Sequence, residues 1–496
     1  MLPLADGSAH APASGGASGS DHDNMLVQSI RRSTRVWFAR GVATRVVSLL
    51  TNLLLVVLVT PRELGLLAAV RGFIGIVHFA TDLGLEFALV RRRADPNPAE
   101  MAALSGVRML CLALIAVGIA VVPHASTLFG TLSPALGGWL IALTAAFAIT
   151  PTQLGSKVLL ERDLQFAKLG TLEVTTVLLE NVGLVVAAAV GHFDRGVFLV
   201  FIASFCYVTV FVQYLAPLRG LSLNVGSLRP LLRDTVGFSG AALFTVARTS
   251  LTPILLAKLF GLNVAGNWAL ADRVCSYLNL VFESFTRTAF AGAARLRHST
   301  IHLRDLAAHA LTHTAMWVIP ASVLIFVLFP VLGSLFPKWA GAVQPGQVYV
   351  LALGAGGSVI ASLSPVTQAM RGPALALVEQ AAACLVLWAA LAVSAAIGIV
   401  NVGLAYAIAI VAQALVLLRL CPPTVRPEMQ GLLWTSLVPG AVIVAACVGF
   451  SAVGSTLAVR VIAPAILLLT WQSARYIAAH GHASCRATTG APVATD

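Results

Sequence analysis

Residues 374–400 read ALALVEQAAACLVLWAALAVSAAIGIV, an apolar run broken by one charge, Glu379. The hydrocarbon core of a bilayer is about 30 Å thick and is crossed by about 20 helical residues, so this stretch is long enough to span it. Working outward in both directions, runs of similar length recur along almost all of the 496 residues, another being Arg45 to Val59. About fourteen spans are expected, near 36–59, 66–90, 103–122, 137–158, 168–190, 196–216, 236–259, 265–290, 306–332, 345–370, 374–398, 400–420, 432–453 and 456–477. Composition agrees: 58% of residues are hydrophobic, 10% are charged and the mean hydropathy is +0.89. That leaves too little polar surface to cover a water-soluble globule. The expected fold is all-α, a polytopic membrane protein.

The net charge of +12 would suggest nucleic acid in a soluble chain. Here the basic residues sit in short loops between apolar runs, where they orient helices against an anionic leaflet, so no nucleic-acid partner is expected. Arg31, Arg32, Arg35 and Arg40 precede the first span, Arg91, Arg92 and Arg93 follow the second, and Lys157, Arg162 and Lys168 follow the fourth. Arg219, Arg229 and Arg233 follow the sixth, and Arg287, Arg295, Arg297 and Arg304 the eighth. The loop from Pro123 to Gly137 has no Lys or Arg. Every even loop is basic, which predicts cytoplasmic N and C termini. The segment 1–30 is rich in Ala, Gly, Ser, His and Asp without a basic n-region or cleavage site, and it and the segment 479–496 read as disordered tails. No CxxC spacing occurs among the seven cysteines, so neither disulfides nor a zinc site is expected. His298, His302, His309 and His313 fall near one helical face, but without HExxH they read as a wet helix end, with no metal.

Two stretches resemble each other at a spacing of about 200 residues. Pro61-Arg-Glu-Leu-Gly65-Leu-Leu-Ala-Ala69-Val-Arg71 and Leu262-Asn-Val-Ala-Gly266-Asn-Trp-Ala-Leu270-Ala-Asp272-Arg273 each leave a short turn, pass a glycine and start a small-residue helix with a charge about two turns in. This predicts two pseudo-symmetric six-helix lobes, 31–220 and 221–425, followed by two further helices over 426–478.

Thr60-Pro-Arg-Glu-Leu-Gly65-Leu, Ala80-Thr-Asp-Leu-Gly-Leu-Glu-Phe-Ala-Leu-Val-Arg91, Leu160-Glu-Arg162-Asp163-Leu-Gln-Phe166, Phe238-Ser-Gly, and Leu259-Phe-Gly261 through Ala269-Leu-Ala-Asp272-Arg273 resemble the polysaccharide transporter branch of the multidrug/oligosaccharidyl-lipid/polysaccharide exporter superfamily. The resemblance covers most of residues 30 to 420 and implies an alternating-access flippase of the bacterial inner membrane. Its substrate would be a polyprenyl-diphosphate-linked oligosaccharide used for O-antigen, capsule or exopolysaccharide, in a setting of membrane lipid, glycosyltransferases and a polysaccharide polymerase. Where members of the branch often carry an acidic residue in helix seven, this chain has Ser250-Leu-Thr-Pro253.

Charges within the spans supply the candidate site. Each of Arg45, Arg71, Arg108, Arg248 and Arg273 would cost about 2.5–3.5 kcal/mol at a lipid-facing helix centre, so a cavity, a partner or an interface must receive them. Arg45 and Arg248 lie at similar depths in helices one and seven and are expected to face each other across a central cavity. Arg71, Arg248, Arg273 and Arg45 are therefore the candidate ligands of a diphosphate and its glycan, since a guanidinium binds phosphate bidentately. Arg108, near a span end, is expected to snorkel. Asp82 and Glu86, and Glu173 and Glu180, share faces of spans two and five. These four either carry a coupling H+ or Na+ or neutralise the arginines, Glu180 being a possible partner of Arg248, and Glu379 and Asp272 admit the same two readings. No covalent chemistry and no other cofactor is expected. The alternatives are an ion-coupled small-molecule exporter, for which an acidic cavity is expected, and a membrane polysaccharide polymerase or ligase, for which a long periplasmic loop is expected.

Overall fold

The computed structural model describes residues 43–82, 98–121, 134–147, 166–215, 239–279, 300–371, 373–398 and 400–421, with single positions at 160, 222, 282, 286, 289 and 293. Twelve helices are seen among them: α1 (Ala43–Leu58), α2 (Pro61–Asp82), α3 (Pro98–Val121), α4 (Pro134–Phe147), α5 (Phe166–Ala189), α6 (Phe193–Leu215), α7 (Ser239–Phe260), α8 (Leu262–Cys275), α9 (Thr300–Leu335), α10 (Ala340–Ala352 and Ser358–Arg371, joined by a π turn), α11 (Pro373–Ala396) and α12 (Val402–Leu420). Each falls on one of the first twelve expected spans. The last two spans, both tails and Glu86 lie outside the described residues. Nine of the described helical segments are long and apolar enough to cross a membrane, and no described residue is in a strand. Large apolar side chains line their outer faces, for instance Leu404, Ile408, Val411 and Leu415 of α12, which recur one helical turn apart and are about half exposed. In water such a stripe would be a liability; against lipid tails it is solvated.

Helices α2–α6 pack among themselves, as do α7–α12, and α2 crosses between the two groups, lying on α7 and most extensively on α8. Local chemistry sets where these two helices begin. Thr60 and Glu63 form a reciprocal cap, Glu63 Oε2 accepting from Thr60 N at 2.7 Å and from Thr60 Oγ1 at 2.8 Å, with Pro61 at the first helical position where a missing N–H costs nothing. Gly261 separates α7 from α8 at φ 88°, a backbone conformation suited to glycine, and its N–H closes α7 on Ala257 O.

The α2–α8 crossing is built on the two glycines of the sequence repeat. A Cβ on Gly65 would run into Leu262 O, and one on Gly266 into Pro61 O, so each copy of the motif packs on the backbone of the other. Pro61 and Gly65 are separated from Leu262 and Gly266 by the same interval. This reciprocity is the signature of a two-fold-related contact, and it gives the sequence repeat a physical meaning. Above and around it lies a continuous apolar core drawn from both groups, including Leu55, Leu64, Leu67, Leu256, Leu262 and Trp268.

The same end is fastened by α1 and the start of α10. A helix leaves its last carbonyls without intrahelical partners, and on α1 two of these accept from the second lobe: Val56 O from Trp339 Nε1 at 2.8 Å and Val57 O from Lys338 Nζ at 2.7 Å. Trp339 is fully buried, so its N–H cannot be replaced by water. Trp339→Phe is expected to lower stability by about 1–2 kcal/mol, read as a lower thermal midpoint of the purified protein in lipid nanodiscs; an unchanged midpoint would show that the bond adds nothing.

Candidate functional site

Between the two lobes lies a cavity of about 570 Å³, walled by α2, α7, α8, α10, α11 and α12. Arg71 of α2, Arg248 of α7 and Arg273 of α8 all line it, accompanied by Asp272. The cavity therefore draws cationic side chains from both lobes.

Two of its walls are helices that lose the regular ladder. Pro253 cannot donate to the residue four before it and crowds that carbonyl, and immediately upstream α7 widens into a π turn over Ala247–Leu251. Arg248, Thr249 and Ser250 of this turn face the cavity. In α10 the run Leu353–Gly357, with three glycines, forms a second π turn whose Leu353 and Gly357 also line it. Such widened turns redirect side chains that a regular helix would point elsewhere.

Each arginine is received by a different device. Arg71 lies near Glu180 of α5, close enough for the two charges to attract, and its guanidinium sits 5.9 Å from the Phe201 ring centroid, a cation–π distance. Arg273 Nη1 donates to Asn52 Oδ1 of α1 at 3.0 Å, a bond that joins the lobes, and Arg273 also feels Asp272 beside it. Arg71 and Arg273 are near enough to repel one another. Arg248 Nη1 donates to Gln413 Oε1 of α12 at 3.0 Å. Gln413 Nε2 in turn donates to Glu379 Oε1 at 2.7 Å, and Glu379 Oε2 accepts from Ser364 Oγ at 2.7 Å. Asp272 lies within electrostatic range of Tyr349, Arg248 and Arg273.

An aromatic cluster completes the wall. Trp268 of α8 stacks on Tyr406 of α12 with centroids 4.2 Å apart and meets Tyr349 of α10 at 4.9 Å, while the two tyrosines lie 5.3 Å apart. Packing of this kind between rigid rings fixes three helices against each other at the cavity.

Three of the four arginines singled out from the sequence are thus brought together, and one is not. Arg45 is exposed on α1 and is not among the cavity-lining residues. It shares a helical face with Asn52, the residue that meets Arg273, but lies two turns away, which at 1.5 Å per residue is about 10 Å along the axis. The expected Arg45–Arg248 pair across the cavity is therefore corrected: facing Arg248 and Arg273 from the first lobe is Arg71, one helix further on. The suggested Arg248–Glu180 partnership is corrected as well, because Glu180 belongs with Arg71, and Arg248 reaches Glu379 through Gln413. Arg108 is buried within the protein and does not snorkel. Asp82 and Glu173 are half-buried on α2 and α5 and lie outside the cavity wall. Asn52, Gln413, Tyr349 and Tyr406 were not picked out from the sequence. The available signal was an amide or a phenol inside an otherwise apolar span, groups that need a partner once buried.

Residues 54–343 match the family described as polysaccharide biosynthesis protein. The lipopolysaccharide biosynthesis protein WzxC of Escherichia coli (strain K12) is 23% identical over 258 residues, which make up 50% of this chain and 51% of the relative. The chain thus spans about half the length of that curated relative. In fold it is similar to the lipid II flippase MurJ in an inward closed conformation, with TM-score 0.63 and 13% identity over 88% of this chain and 99% of the other. It is also similar to a multidrug resistance MATE family transporter of the MOP superfamily in an inward-facing conformation, with TM-score 0.55 and 13% identity over 81% and 94% of the two chains. With more than half of its residues matched, the chain belongs to the polysaccharide biosynthesis protein family, and its fold is similar to those of the MurJ flippase and the MATE transporter.

Proposed function

We propose that the protein is a flippase that carries polyprenyl-diphosphate-linked oligosaccharide from the cytoplasmic to the periplasmic leaflet of the bacterial inner membrane. The observation that carries this reading is the convergence of Arg71, Arg248 and Arg273, from both lobes, on one cavity between them. Two of them, Arg71 and Arg273, are held close enough to repel, and such a pair is preorganised for a ligand with two adjacent negative charges. The carboxylates Glu180 and Glu379 lie behind the wall and compensate the arginines without facing the ligand, which leaves Asp272 as the acidic lining residue. A cavity built for cationic drugs would have the opposite balance. The diphosphate binds the arginines, the glycan occupies the remaining volume and the polyprenyl tail stays in lipid. Both termini are cytoplasmic in this reading, glycosyltransferases supply the substrate on that side, and a polymerase consumes it on the other.

Support comes from the roles of the two similar proteins, WzxC in lipopolysaccharide biosynthesis and MurJ in lipid II flipping. The test is transbilayer movement in proteoliposomes. A polyprenyl-diphosphate-linked oligosaccharide placed in one leaflet should become accessible in the other faster than in protein-free vesicles, whereas the polyprenyl alcohol should not. Equal rates with and without protein would overturn the proposal.

A further inference from the structure

The chain of bonds behind Arg248 has a direction. Glu379 of α11 is fully buried at 0% exposure and Gln413 of α12 is 2% exposed, so neither can trade its partner for bulk water. A guanidinium only donates, and a carboxylate accepts. The carboxamide of Gln413 is held between the two, its oxygen toward Arg248 and its nitrogen toward Glu379. Behind it Ser364 Oγ donates to the other carboxylate oxygen and itself accepts from Gln368 Nε2 at 2.8 Å, which leaves Glu379 little freedom to turn. Among the described residues Gln413 is the one hydrogen-bond partner of Arg248, and it takes a single N–H of the guanidinium.

We propose that Glu379 is a positioning residue for Arg248: a buried carboxylate, set one carboxamide behind it, that locks Gln413 and aims the guanidinium into the cavity with its bidentate face free for an anionic ligand. A carboxylate in direct contact would occupy that face, because Arg and carboxylate match as a fork. The amide spacer transmits orientation and electrostatic compensation while leaving the donors open. This inference rests on the reading that the cavity takes a diphosphate.

The experiment moves the carboxylate by one position. Full-length protein in lipid nanodiscs is titrated with farnesyl diphosphate, and with farnesol as the probe that lacks the diphosphate. The double variant Gln413→Glu/Glu379→Gln keeps the same groups and the same charge but puts the carboxylate against Arg248. It is expected to bind farnesyl diphosphate roughly tenfold or more weakly than wild type, with farnesol binding and thermal midpoint unchanged. Gln413→Leu, which keeps the size of the side chain but removes its amide, removes the lock and is expected to weaken binding in the same direction. In an Arg248→Ala background both changes should have no further effect, since a residue acting through Arg248 has nothing left to act on. Wild-type affinity in the double variant, or losses that add to that of Arg248→Ala, would overturn the positioning role. If wild type itself binds farnesyl diphosphate no better than farnesol, the diphosphate reading fails instead, and the two failures are told apart.

Discussion

Arg248→Ala is expected to leave the protein in the membrane at near-normal abundance while lipid-linked repeat units accumulate in the cytoplasmic leaflet. Arg248 is half-buried, lines the cavity from a π turn and has its bond to Gln413 on one side only. Removing it takes a charge-assisted hydrogen-bonding group from the ligand, an interaction worth about 1.5–3 kcal/mol, or roughly a tenfold to a hundredfold loss of transport rate at limiting substrate. Arg248→Lys should recover part of this, because an ammonium keeps the charge but lacks the planar fork.

The structure makes the rival outcome specific. Were Arg248 only a brace for the buried polar network, its removal would strand Gln413 Oε1 and disturb Glu379, and the protein would be lost from the membrane. Quantitative immunoblotting beside the transport assay separates the two. Full flipping by Arg248→Ala would take the diphosphate away from this residue.

What the sequence made legible is what the bilayer imposes. Span positions follow from hydrocarbon thickness, which is why α1 to α12 coincide with the apolar runs, and the repeat around Gly65 and Gly266 follows from a steric demand that only glycine meets. The arginines stood out for the same reason, since a charge in an apolar run is costly wherever it points. What stayed hidden was rotation and depth. Arg45 and Asn52 share a face, yet two turns decide which of them reaches the other lobe. Arg248 finds its carboxylate through Gln413 because α11 and α12 lie side by side, an adjacency that no spacing along the chain encodes. The π turn that carries Arg248 shifts its direction relative to a regular helix, so helical-wheel reasoning from Ser239 onward would misplace it. Sequence patterns report the environment a residue needs; only packing reports which neighbour supplies it.

Gly266→Leu is expected to abolish transport by forbidding the closed crossing of α2 on α8. The added Cβ meets Pro61 O, the Pro61 carbonyl carbon and Gly65 N, all of them backbone, so no rotamer change can make room. The helices must separate, and with them go the apolar contacts of Leu64, Leu67 and Leu262 and the hold of Trp339 and Lys338 on the end of α1. Overpacking at such a point costs about 1–3 kcal/mol when side chains can yield, and more where backbone opposes backbone. Because the cost falls on one conformation, the protein should remain folded and shift toward arrangements in which this end is open. Arg62 and Asn263 are exposed near corresponding positions of the two motif copies, so a spin-label pair there should report a longer distance in Gly266→Leu than in wild type. Gly266→Ala, with the Cβ alone, should already show a smaller shift in the same direction. An unchanged distance together with wild-type transport would mean that the α2–α8 crossing is not a closure the transport cycle passes through.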